Sequence, residues 1–160
     1  AAAGARRIAL FLHKPIFVTT PGDAAFDEWS VPPPARARLA ALIGHPALRL
    51  VASGHLHLHH EFSIGHVAFA WAPALSFHVS PAQQQGLPGL RHGGALLHHL
   101  HADHVETRLL QPEGVATVPL DDVWHRTYAI PAMAGLHAGD ADPSSPGHAA
   151  SAGSAHDRGA

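Results

Sequence analysis

The chain has no cysteine. That absence excludes disulfide scaffolds, thiolate zinc fingers, iron–sulfur centres and cysteine nucleophiles. Charge is also sparse: 14% of residues are Asp, Glu, Lys or Arg, and Lys14 is the sole lysine. With a net charge of −2 there is no basic stripe for general nucleic-acid binding. No apolar run approaches the eighteen or so residues that span a membrane. Arg6 and Arg7 precede an apolar stretch too short for a secretory signal. These absences predict a soluble, cytoplasmic chain. Gly-x-Ser-x-Gly and phosphate-cradling glycine loops are missing as well. The first residue is Ala1 instead of Met, which suggests a processed chain or part of a longer one.

What the 160 residues do contain is histidine, 17 against ten Lys plus Arg. Apolar residues make up 46%, enough for a core in one domain. Ile8 to Leu12 fits a strand buried on both faces, closed by His13, Lys14 and Pro15. Residues 18–33 form a loop, with Asp23, Asp27 and Glu28 in it. Pro34 to Ile43 predicts a helix, with Leu39, Leu42 and Ile43 on its stripe, Arg36 and Arg38 off it, and Gly44 as the stop. Leu48 to Ala52 reads as a second buried strand.

Beyond it the alternation of Phe62 and Ile64, then Val67, Phe69 and Trp71, predicts a hairpin stacked on a core. A further short strand is expected over Leu75–Val79, a loop over 80–94, and a second hairpin from Ala95–His101 and Val105–Leu110. Residues 1–133 make the domain. From 134 to 160 the composition is Ala, Gly, Ser, Asp, Pro and His, which predicts a disordered tail.

Both buried strands end in histidine. His13 follows the first and Gly54-His55-Leu56-His57 the second. Ligands of open α/β sheets bind outside the carboxyl ends of the strands. A His-x-His pair in extended chain sets two imidazoles on one face, about 6.8 Å apart at Cα. Neutral imidazole is the commonest metal ligand, and Gly54 suits a tight turn or a close approach. His98, His99, His101 and His104 lie beside a hairpin turn and are expected at the surface, while His137, His148 and His156 fall in the tail.

The segment Leu10-Phe11-Leu12-His13-Lys14-Pro15, a helix, and then Val51-Ala52-Ser53-Gly54-His55-Leu56-His57 resembles the C-terminal half of calcineurin-like metallophosphoesterases. Ala72-Pro73-Ala74-Leu75-Ser76 is similar to the segment that follows in their cyclic-nucleotide-phosphodiesterase-like members. The resemblance spans about residues 6–110. It implies the C-terminal half of an αββα sandwich, with antiparallel hairpins. It also implies His13 and His55 as ligands of a second metal and His57 of a first. Two Mn, Fe or Zn ions would then activate a hydroxide against a phosphate-ester small molecule or a phosphoprotein.

The family's earlier motifs, Asp-x-His, Gly-Asp and Gly-Asn-His-Asp/Glu, have no counterpart before His13. The chain is therefore expected to supply three ligands and to be inactive alone, with no catalytic residue of its own. Two other readings stay open. His55-x-His57 with Glu61 has the spacing of a cupin-like single-metal site, although Arg49 stands where that family has glycine. A non-enzymatic, His-rich metal-binding module is the other.

Overall fold

A computed structural model describes residues 6–22 and 28–127. The expected tail, 134–160, lies outside the described residues, as do Asp23 and Asp27. The described elements are β1 (Ile8–Leu12), α1 (Pro33–Ile43), β2 (Leu48–Ser53), β3 (His60–Ile64), β4 (Val67–Trp71), β5 (Ala95–Leu100), β6 (Val105–Leu110) and α2 (Leu120–Thr127). The architecture is mixed α/β, mostly strand, in two sheets.

The first sheet has the order β1-β2-β4-β3. β1 and β2 run parallel, joined through α1, as apolar runs separated by a helix require. β4 also runs parallel to β2, and β3 pairs antiparallel with β4 on the outside. The β3–β4 hairpin thus widens this sheet by two strands. The expected alternation holds: Val67, Phe69 and Trp71 are buried on one face, with Phe62 stacked on Phe69 at 4.9 Å. That face meets Ile16, Phe17 and the helix residues Leu39 and Ile43. The opposite face, Leu50, Ala52, Ala68 and Ala70, packs against Leu96 and Val105 of the β5–β6 sheet. Small residues on this side let the second sheet approach closely.

Four expectations need correction. β1 is an edge strand, and its Phe11 is 64% exposed, so it is not buried on both faces. Arg36 is buried inside the α1 contact, and Leu42 of the supposed stripe is exposed. Its guanidinium donates to the Val31 carbonyl at 3.2 Å and to Ser30 Oγ at 3.1 Å. Residues 75–79 form no strand. Only His78 joins a ladder, bridging Pro119 just before α2. Finally, His98 is half-buried: its ring bonds Thr107 Oγ1 at 2.9 Å and meets Phe11 edge-on at 6.0 Å.

Burial sets a pH dependence. Desolvation pushes His98 and His60 below the ordinary imidazole value of 6.5, with the Glu61 carboxylate opposing it in both. His59 adds to the lowering at His60. The folded state then holds these protons less tightly than the unfolded chain. Stability is full above the unfolded value and is lost as pH falls through the window below it. The urea midpoint at about pH 5 should be lower than at about pH 7.5, and His98→Gln should flatten that difference.

Candidate functional site

The carboxyl ends of β1 and β2 lie side by side, with Leu12 opposite Ser53. The next residues stay in contact, because Gly54 N–H donates to the His13 carbonyl at 3.1 Å. A Cβ at Gly54 would meet nothing closer than that carbonyl at 4.0 Å, so no crowding demands glycine there. The unusual backbone falls on the histidines: φ is +62° at His55 and +53° at His57. The extended His-x-His geometry expected from the spacing is therefore replaced by two left-handed residues.

The cause is visible in the residues between them. Leu56 and Leu58 are fully buried against Trp71. Pulling these two side chains inward turns the backbone and leaves the imidazoles at 55 and 57 outward. A left-handed L-residue costs about 1–2 kcal/mol. Strain of this kind persists where the surroundings over-determine it, and it clusters at functional sites. His57→Gly should be more stable than His57→Ala by about 1 kcal/mol, since only glycine is relieved of that cost. Chemical denaturation of the two variants, compared at equal slope, measures the difference.

Each strained histidine is anchored through one nitrogen. His55 Nε2 lies 3.1 Å from the Glu28 carbonyl, and His57 Nδ1 lies 3.0 Å from the Phe77 carbonyl. A carbonyl only accepts, so these nitrogens carry the protons. His55 Nδ1 and His57 Nε2 keep their lone pairs. Metal-ligating histidines are oriented in this manner, by a carbonyl or carboxylate on the far nitrogen. Desolvation lowers both pKa values below 6.5, against the carbonyl hydrogen bonds that raise them. Lys14, His13 and His57 lower His55 further, and His13 lowers His57. Both rings are held in the neutral, ligating form at pH 7.

The loop 28–32 is what delivers the Glu28 carbonyl. That oxygen also accepts from Lys14 Nζ at 2.6 Å, and Trp29 lies against the His55 ring at 6.0 Å. Buried Ser30 and Arg36 fix the loop from below, and Val31 N–H bonds the Pro15 carbonyl.

The structure brings His13 and His55 together, with ring centroids 4.9 Å apart. His57 packs instead on Phe77, at 4.5 Å. Among the described residues no three His, Cys, Asp or Glu are placed to hold one ion. The imidazoles suit metal as individual donors, but these residues alone do not close a shell. Glu61 bonds His59 at 2.6 Å, so the carboxylate of the cupin-like spacing is engaged by a different histidine. Lys14 and the Glu28 and Phe77 carbonyls complete the arrangement. Lys14 sat beside His13 in the sequence, whereas carbonyls delivered by distant loops leave no signal there.

Among the described residues no helix is long and apolar enough to cross a membrane. No protein-family model matches the chain, and no curated protein matches it either.

Proposed function

We propose that the chain contributes His13, His55 and His57 to the metal centre of a metal-dependent phosphoester hydrolase. The rest of the shell would come from outside the described residues. The observation that carries this is the pair of left-handed histidines, each with one nitrogen tied to a carbonyl and the other left with its lone pair.

Neutral imidazoles favour a cationic site. They add no negative charge, so a bound Mn, Fe or Zn ion keeps its attraction for a phosphate ester. Such an ion supplies Lewis acidity to a phosphoryl group. The chain's own part is to present three imidazoles, to hold His55 and His57 neutral and fixed by carbonyls, and to keep the Lys14 ammonium beside the His55 ring. Lys14 adds positive charge that favours an anionic substrate.

Titration of Mn²⁺ or Zn²⁺ into the wild type, His57→Ala and a chain shortened to end at Ala134 tests the proposal. His57→Ala should weaken the tightest binding by about a hundredfold or more, in line with losing a ligand instead of an outer partner. The shortened chain should bind as the full one does. If shortening abolishes binding and His57→Ala does not weaken it, the His-rich tail is the binder and the proposal fails.

A further inference from the structure

Away from the strand-end site, the side chain that the fold leaves least explained is His92. Both ring nitrogens are shielded from solvent, and neither has a hydrogen-bond partner. A neutral imidazole carries one N–H and one lone pair, and burial without a partner penalises each of them. Such a penalty marks a missing partner.

The nearest ring is His59, at a centroid distance of 5.9 Å. Its Nε2 lies 2.6 Å from Glu61 Oε1, so this nitrogen donates to the carboxylate, and in the neutral ring Nδ1 keeps a lone pair. A carboxylate behind an imidazole is how metal-ligating histidines are commonly oriented. The backbone holds the two segments in register. His59 and Leu90 exchange N–H···O bonds at 2.9 and 2.8 Å. Gly89 has a φ of +113°, and a Cβ there would stand 2.6 Å from the His59 carbonyl. Only glycine lets the 89–92 segment press so closely on 58–60.

We propose that His59 and His92 form a two-imidazole site for a first-row divalent cation of the zinc class, with Glu61 orienting His59. A metal–nitrogen bond of about 2.0–2.1 Å, plus about 1.1 Å to each ring centre, puts two rings on one tetrahedral ion about 5.1 Å apart, so closing the 5.9 Å separation by under about 1 Å brings both onto it. Glu61 is 39% exposed and His59 17%, so an ion would reach His92 from the His59 side. This inference does not rest on the phosphoesterase proposal, since it shares no ligand with it.

Zn²⁺ competition against a chromophoric chelator gives the number and affinity of bound ions. His92→Ala should lose one equivalent relative to the wild type. Glu61→Gln should keep the count and weaken that equivalent about 10–100-fold. His57→Ala should leave it untouched, which separates this site from the strand-end histidines. If His92→Ala binds the same number with the same affinities, an ordered water satisfies His92 and the inference is overturned. Should His92→Ala lose its fold by circular dichroism, Glu61→Gln decides: its carboxylate is exposed, and unchanged Zn²⁺ affinity in that variant also overturns the site.

Discussion

Trp71→Ala lowers the unfolding free energy by about 3–5 kcal/mol, the usual cost of removing a large buried aromatic. Trp71 is 2% exposed. Its backbone is the register partner of Ser53 on one side and of His60 on the other. Its ring packs with Leu56 and Leu58 and lies 4.9 Å from the His60 ring. Truncation therefore opens a cavity under the 54–59 loop as well as in the core. Metal affinity should fall together with stability, because the buried leucines that turn His55 and His57 outward lose their support. Trp71→Phe should recover most of both. Denaturant unfolding and a Zn²⁺ titration on the same samples measure the pair. Affinity unchanged in Trp71→Ala would mean that the loop holds its shape without the tryptophan.

Arg36→Ala costs about 3 kcal/mol, because Ser30 Oγ and the Val31 carbonyl lose a charged donor in a buried setting. The local consequence reaches the site. Residues 28–32 are no longer fixed from below, so the Glu28 carbonyl drifts from His55 Nε2 and from Lys14. The His55 imidazole then loses the hydrogen bond that favours its protonated form and sets its tautomer. NMR titration of the histidine resonances should show the His55 pKa displaced in Arg36→Ala. The His57 pKa should stay put, since its carbonyl comes from Phe77. Equal displacement of both would show a general loosening instead of a break in this one connection.

Arg36 also marks a limit of legibility. Its spacing placed it off the apolar stripe of α1, and an arginine off the stripe is normally solvated. Burial came from partners in a preceding loop, which helical periodicity cannot register. The strands were legible for the opposite reason. Ile8–Leu12, Leu48–Ser53 and the Phe62 to Trp71 alternation each carry their pattern within a few residues. Their order was not, because β4 reaches β2 by passing inside β3, and no local pattern states which strand pairs with which.

At the site, strand-end placement singled out His13, His55 and His57, and the structure sets the first two together. Pairing His55 with His57 on one face needs extended chain between them. Leu56 and Leu58 override it, since both demand burial on one side of a loop and bend the backbone to obtain it. The engagement of Glu61 by His59 was equally hidden, although the two are only two residues apart.

The insertion of β4 between β2 and β3 has a consequence for the length of the loop that carries the histidines. Ser53 and His60 flank Trp71, so their strands stand two sheet spacings apart, about 9.5 Å. Seven residue steps could stretch to about 23–25 Å. The connection is an arch with more than twice the chain it needs to clear one strand. Surplus length of that kind must fold back on itself, and here it does so at His55 and His57. The span that solves a problem of strand order thereby has backbone to spare for aiming side chains.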